Sequence, residues 1–452
     1  MRTAQEEARG HSQVLTESAG VKTQDVLVTD TAPVVGDERS ACGEDRNHRQ
    51  ETTRWAFLIG AATFGATMPQ TGLLRLPFQN LLKSKLNASP EGMASFFALT
   101  ALAWYFKPVA GILVDNVPLL GTRRRHYLIL SAVLTSVFFL LAGFLSHTYV
   151  ALLVVLIAAN AMLAVGSTVV GGLTVEAGQS NGSTGRLTSA LYVVSNGCLL
   201  MSGPLGGFLA MRAFQFTAAA CALISLSAVP FAWWFLREPT VRQQGSETWI
   251  RAKSQFFWLL RSRTAWTAAG LLFLVYTAPG FLTALYYFQT DTLKFSQEFI
   301  GTLILLGGLF GIGGSLLYAF LCRRIRLRWL LYLGIAGSAM GSLTYLFYRS
   351  GSAAAIIESQ NGMISAFVTL ALMDLAARAT PRGSEALGFA IMMSILNVAQ
   401  SLSDVFGSWL IDHLHFTFFR LVWLNAATTA LVLVLIPLVP RLLLDRTDTT
   451  PA

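Results

Sequence analysis

Lys107 and Asp404 are the residues of this sequence whose type and setting most demand a chemical role. Each lies inside an apolar stretch long enough to be a membrane helix, and a charge at the bilayer centre costs roughly 2.5–3.5 kcal/mol on insertion scales. Lys107 follows Trp104 and precedes Pro108. A cation there either binds an anionic group or pairs with an acid; otherwise it snorkels, or props a helix beside the proline. Asp404 belongs to the set Ser394, Asn397, Ser401, Asp404 and Ser408, whose helical spacing places all five on one face. A polar stripe with one acid suits a cavity wall and a proton carrier, or else a hydrogen-bonded seam between helices. Milder stripes are Thr63, Thr67 and Gln70; Asn160, Ser167, Gly171 and Thr174; Ser189, Tyr192 and Asn196; and Tyr276, Thr283 and Tyr287. Amide and aromatic groups can hydrogen-bond and stack on a flat solute. The expected cavity wall is therefore Lys107, Trp104, Gln70, Asn160, Tyr192, Asn196, Tyr287, Asn397 and Asp404, although each milder residue taken alone reads first as packing. Arg75, near the outer end of the first stretch, reads as an interfacial anchor.

No constellation points to catalysis, so the chain is not expected to be an enzyme. There is no glycine loop followed by Lys-Ser/Thr for a nucleotide. His126, His147, His413 and His415 lack partners at metal-ligand spacing, and so do Cys42, Cys198, Cys221 and Cys322. No metal, cofactor or disulfide is expected. The glycines Gly307, Gly308, Gly311, Gly313 and Gly314 suit close helix packing.

The elements that must position Lys107 and Asp404 are membrane spans. Of the 452 residues 54% are hydrophobic and 13% charged, against about 25% charged in a soluble domain. Stretches long enough to cross about 30 Å of hydrocarbon recur twelve times. They lie near 54–75, 92–114, 126–146, 149–174, 186–210, 213–237, 265–290, 299–321, 328–349, 354–377, 385–410 and 416–438. The net charge of +9 sits in alternate loops, at Arg123–Arg125, Arg237–Arg263, Arg323–Arg328 and Arg378–Arg382. That is a topological signal rather than a nucleic-acid footprint, and it places both termini in the cytoplasm. Residues 1–50 read as a disordered cytoplasmic tail without a signal peptide. Residues 51–237 form a first set of six spans, 238–264 a central cytoplasmic loop with an interfacial helix, 265–440 a second set of six, and 441–452 a tail.

The halves echo each other: Gly185-Arg186 leads to Asn196 as Gly383-Ser384-Glu385 leads to Asn397. More specifically, Trp104, Lys107, Pro108, Gly111 and Asp115, then Pro118, Gly121, Arg123 to Arg125 and Tyr127, resemble the helix-2 signature of the folate–biopterin transporter family within the major facilitator superfamily. Pro279 to Phe288 with Leu293 to Ser296 and Gly301 is similar to that family's seventh span, and Pro381 to Glu385 with Phe389, Ala390 and Asn397 to its eleventh. One departure stands out: Gly166 to Val175, ahead of Glu176, carries no aspartate where the family has acids.

The resemblance implies an all-α membrane protein of twelve transmembrane helices in two six-helix lobes, the major facilitator fold, with the substrate site between the lobes. It implies a secondary transporter working by alternating access on a small organic solute, a folate or pterin first, coupled to protons. It also implies a cytoplasmic gate built from Asp115, Arg123, Arg124, Arg125, Glu176, Arg186, Arg378 and Glu385, unless the arginines are topogenic charge alone. The missing helix-4 acids keep open a carrier of a drug, sugar or amino acid. A rival from another class is a membrane sensor signalling through its tail or central loop. The expected partners are a small-molecule substrate, lipid and protons, with no nucleic acid. The expected setting is a monomer in a bacterial inner membrane, read from short loops.

Overall fold

The apolar stretches of the sequence become helices because lipid supplies no partner for a free backbone N–H or C=O. The computed structural model describes residues 37–122, 124–145, 148–180, 184–236, 261–380 and 385–444. Among them no strand forms; an isolated bridge between Leu119 and Thr122 closes one turn. Residues 50–452 make one compact unit; in the separate unit of residues 1–49, residues 37–49 are helical. Residues 1–36, 238–260 and 445–452, with their tail and central-loop expectations, lie outside the described residues.

Among the described residues twelve long helical segments follow in order, with a short helix Arg441–Leu444 after them. The first, α1, runs Asp37–Met68, passes a π-helical turn Pro69–Leu73, and continues as Arg75–Ser84. The second, α2, is in three pieces: Pro90–Thr100, Leu102–Tyr105 and Lys107–Asn116. Then come α3 (Arg125–Phe144), α4 (Tyr149–Ser180), α5 (Thr184–Ala210) and α6 (Phe214–Leu226 with Ala228–Phe235). The second half opens on α7, again in pieces: Arg263–Thr277, Leu282–Tyr287 and a π-turn Phe288–Thr292. It continues with α8 (Gln297–Leu321), α9 (Leu327–Thr344 with the turn Tyr345–Phe347), α10 (Gly351–Ala379), α11 (Glu385–Leu414) and α12 (Phe418–Val432 with Leu433–Leu438). Ten segments are long and apolar enough to cross a membrane on length and composition alone. The other two are α1, which carries polar residues past its π-turn, and α2, which is broken.

Each half packs as a lobe, α3 on α4 and α6 in the first, α8 on α10 and α9 on α10 and α12 in the second. The first lobe's core gathers Phe78, Phe96, Phe139 and Leu152; the second's gathers Leu327, Leu331, Ala371 and Leu372. Ser89, Ser296, Ser350 and Thr417 each accept a backbone N–H at the start of α2, α8, α10 and α12, the caps that such residues provide. The lobes meet through α5 against α8 and α2 against α11. At the α5–α8 contact the backbones touch. A Cβ on Gly203 would run into the Gly301 carbonyl, and one on Gly301 into the Gly203 carbonyl.

The breaks have local causes. Pro108 has no N–H and its ring crowds the carbonyl four residues back, so α2 restarts at Lys107, with Trp104 packed at the edge of the first lobe's core and the Lys107 ammonium beside its ring. Pro279 drives Ala278 into extended backbone (ψ 132°), as expected for a residue before proline, and α7 opens there. Neighbouring helices satisfy the opened groups. Gly280 N–H donates to Ser403 O at 2.9 Å, Asn425 donates to Pro279 O at 2.9 Å, and the Ser403 hydroxyl donates to Ala278 O.

Candidate functional site

Between the lobes lies a cavity of about 1650 Å³. The end of the molecule bearing the loops after α2, α4, α8 and α10 is called the basic end, and the other the far end. The cavity runs from Gln70, Arg75 and Phe97 down to Arg124 and Glu176 at the basic end. Six of the nine expected wall residues line it: Gln70, Trp104, Lys107, Asn160, Asn397 and Asp404.

Trp104 and Lys107, one helical turn apart, face Asn160 and Ser167, two turns apart on α4. Trp104 Nε1 donates to Asn160 Oδ1 at 3.1 Å, and Lys107 Nζ to Ser167 Oγ at 3.0 Å. The ammonium also lies 5.1 Å from the Trp104 ring centroid, a cation–π contact. The stretch of α4 without acids thus meets the cavity with Ser167, Thr168 and the bare backbone of Gly171. Lys107 has a hydroxyl and a ring beside it rather than a carboxylate.

Arg75 is the residue the sequence reading misplaced. It is not at the end of a span, because α1 continues through its π-turn to Ser84. Arg75 lines the cavity, its guanidinium 5.3 Å from the Phe97 ring, and it makes no hydrogen bond among the described residues. Asp404 lies within its electrostatic range. Two cations, Arg75 and Lys107, therefore face one space.

Asp404 has a structural task. Its Oδ1 accepts the Thr283 N–H at 2.9 Å and its Oδ2 the Thr283 hydroxyl at 2.6 Å, capping the restart of α7 after the Pro279 break. Substituting Asp404 by alanine is expected to cost about 1–2 kcal/mol, the usual magnitude for a lost cap, seen as a lower unfolding midpoint of detergent-solubilised protein; an unchanged midpoint would show that the cap is idle. Of its stripe, Asn397 and Ser401 line the cavity, whereas Ser394 is turned to the Ala390 carbonyl and Ser408 is fully buried.

Tyr192, Asn196 and Tyr287 do not line this cavity. Tyr192 is 55% exposed on α5, one turn from the exposed Asn196. Tyr287 sits at the far end, its hydroxyl bonded to the Ala88 carbonyl of the other lobe. The second lobe adds polar wall residues that spacing did not single out: Ser342, Tyr345, Asn361, Gln400 and Asn425. Asn425 and Ser342 bond each other at 2.7 Å, an inter-helix pairing that leaves no mark in either local sequence.

The two ends differ. At the far end the lobes are tied: Lys83 to Thr290 and Asp291, Tyr287 to Ala88, Glu91 N–H to Asp412 at 2.9 Å, and His413 to Glu91 at 2.8 Å. At the basic end Arg124, 7% exposed, grips Glu176 with two bonds of 3.1 and 2.8 Å. It lies across Gly172, where any Cβ would collide with the guanidinium. Arg125 donates to the Trp233 carbonyl and stacks on its ring. Arg378 forks onto Asp374 at 2.8 Å, and Tyr318 donates to the same carboxylate. These named pairs all lie within a lobe. Arg123 and the side chains of Asp115, Arg186 and Glu385 lie outside the described residues.

Comparison with known proteins agrees with this architecture. A family model described as the BT1 family matches residues 70–450. A folate-biopterin transporter of Synechocystis is 30% identical over 354 residues, covering 75% of this chain and 71% of its own. Folate transporter 2 of Plasmodium falciparum is 24% identical, covering 73% and 74%. Among solved structures, the nucleoside transporter NupG superposes with a TM-score of 0.68 at 12% identity, over 86% of this chain and 98% of its own. The xylose transporter XylE of E. coli, in an inward open conformation, gives 0.62 at 13%, over 89% and 98%.

Proposed function

This chain belongs to the BT1 family, and on that premise we propose that it is a secondary transporter carrying a folate or pterin through the central cavity by alternating access, driven by protons. The observation that carries the substrate class is the cavity wall: two cations, Arg75 and Lys107, set beside the aromatic faces of Phe97 and Trp104 and the amides of Gln70, Asn160 and Asn397. A folate offers a flat hydrogen-bonding heterocycle and a tail of carboxylates, which suit aromatic and amide groups at one part of the wall and paired cations at the other.

The arginine-rich loops put the basic end in the cytoplasm. On that assignment the cavity faces inward and the ties from Lys83, Tyr287, Glu91 and His413 form the closed outer gate. Arg124–Glu176 and Arg378–Asp374 would then be the halves of an inner latch, each held ready in its own lobe. A second reading, a same-fold carrier of an uncharged solute, is favoured by the hydroxyl-and-glycine surface that α4 presents.

Uptake of radiolabelled folic acid and biopterin into proteoliposomes, with and without an imposed proton gradient, tests both. Saturable, gradient-stimulated flux of either compound is the expected result. No flux of either from folded, inserted protein removes the folate reading and leaves the second.

A further inference from the structure

Glu358 sits on α10, two turns in from Gly351, and no basic residue among the described residues meets it. Its hydrogen bonds come from two phenols at the end of α9: Tyr345 donates to Oε2 at 3.3 Å and Tyr348 to Oε1 at 3.1 Å. The Tyr348 oxygen in turn accepts from Gln289 Nε2 at 2.7 Å, and Gln289 is part of the π-turn Phe288–Thr292. The next two residues of that turn, Thr290 and Asp291, hold Lys83 of the other lobe. On the other side, Tyr345 lines the central cavity, as does Asn361, one turn along α10 from Glu358. A continuous line of polar contacts therefore joins the cavity to the far-end closure, with one carboxyl in its middle.

The charge around that carboxyl is simple. From α9 come the two tyrosines, and from α7, through Tyr348, the neutral Gln289; α8 sets Gly307 against the backbone of Glu358. From α11 and α12 come the apolar Leu410, Phe418 and Leu421 of the surrounding cluster. No charged group among the described residues acts on it. A carboxylate withdrawn from water without a counter-charge costs several kcal/mol, and bonds from two neutral phenols offset only part of that. The neutral acid escapes the cost. Asp404 is differently placed: it accepts the Thr283 N–H and hydroxyl, and Arg75 is in range.

We infer that Glu358 is a proton-binding site of the carrier, and that its loading is coupled to the far-end closure through Tyr348, Gln289 and the π-turn of α7. The inference rests on the transport reading above and names a residue for its proton step. A proton from cavity water adds to one carboxylate oxygen and gives the acid; no other bond is made or broken. The ionised group accepts from both tyrosines. Once protonated it must donate, and the tyrosine that receives its hydrogen must send its own elsewhere. For Tyr348 that direction is Gln289, whose Nε2 now points a donor at it; the amide turns over or lets go. Either change falls on the turn that keeps Thr290 and Asp291 on Lys83.

The test uses the whole protein in detergent, without substrate, so that it stands apart from the folate question. Hydrogen exchange of peptides spanning residues 282–296, corrected for intrinsic rate, is followed at about pH 6 and about pH 8. The wild type is expected to change protection by about fivefold or more between them, and Glu358→Gln, which keeps the shape and cannot titrate, to show one level at both. Tyr348→Phe leaves the carboxyl and cuts the line. It should lose the pH response of the turn while still taking up the proton, read with a pH-sensitive dye. In proteoliposomes, proton-driven accumulation of folic acid should fall about tenfold in Glu358→Gln, with exchange of labelled for unlabelled folic acid held within about twofold, because coupling rather than binding is removed. A pH response of the turn in Glu358→Gln equal to wild type overturns the inference, as does a wild-type turn indifferent to pH. Loss of the response in Glu358→Gln with no folate flux in the wild type leaves the inference standing and removes the folate reading instead.

Discussion

Uptake of folic acid at low concentration falls by about a hundredfold or more when Arg75 and Lys107 are both replaced by glutamine, whereas uptake of biopterin falls less than about tenfold. Charge-assisted hydrogen bonds are worth about 1.5–3 kcal/mol each, and every 1.4 kcal/mol is about a factor of ten in affinity, so two of them account for the loss. The asymmetry follows from the substrates: folic acid brings carboxylates to these cations and biopterin brings none. The fold should survive. Arg75 makes no hydrogen bond among the described residues and Lys107 bonds only a serine hydroxyl, so neutral glutamines relieve a desolvation cost rather than orphan a buried partner. Initial rates in proteoliposomes with matched amounts of protein decide it. Equal losses for both compounds would show that the cations serve the transport cycle and not the carboxylates.

A second large effect is expected at the α5–α8 contact. Gly203→Val places a branched side chain where the Gly301 carbonyl now lies, and Gly207 has the same relation to the Gln297 carbonyl, with its Cβ position 2.6 Å away. Two close-packed backbones cannot admit that volume, and overpacking of this kind costs about 1–3 kcal/mol or more. The lobes part at the far end instead. A carrier that cannot close one side cannot cycle, so net uptake should fall to background while the helices remain folded. The check is the alkylation rate, in detergent, of a cysteine placed at Tyr287, which sits in the closure against Ala88. With Cys42 replaced by serine, the remaining cysteines Cys198, Cys221 and Cys322 are buried and contribute little background. The rate is expected to rise about tenfold in Gly203→Val, a shift of about 1.4 kcal/mol in the closing equilibrium. Unchanged alkylation with normal uptake would mean that the glycine contact is not part of the closure.

Much of this molecule could be read along the chain. The twelve segments follow from recurring apolar stretches, Lys107 from a charge inside one of them, Trp104 from the helix-2 resemblance and Asn160 from helical spacing, whereas the breaks of α2 and α7 beside Pro108 and Pro279 enter only with the structure. The family resemblance carried by Trp104 to Tyr127 agrees with the family that the chain belongs to. The errors have one cause. Arg75 was assigned to a span end because hydropathy falls there, yet α1 continues to Ser84, since neighbouring helices supply what lipid does not. Asp404 reads from spacing as a cavity acid or as part of a seam between helices, and it lines the cavity while bonding the restart of a helix more than a hundred residues away in sequence. Glu358 attracts no notice among Ile357, Ser359 and Gln360, because both of its tyrosines come from α9 and the glutamine behind them from α7.

Periodicity, hydropathy and the clustering of arginines are local properties, and they determined on their own that this is a helical membrane protein and which end carries the positive charge. Whether a polar side chain faces a cavity, caps a broken helix or ties one lobe to the other depends on which helix lies opposite. That is set by the rotation and crossing of helices far apart in the chain, and only the tertiary structure decided it.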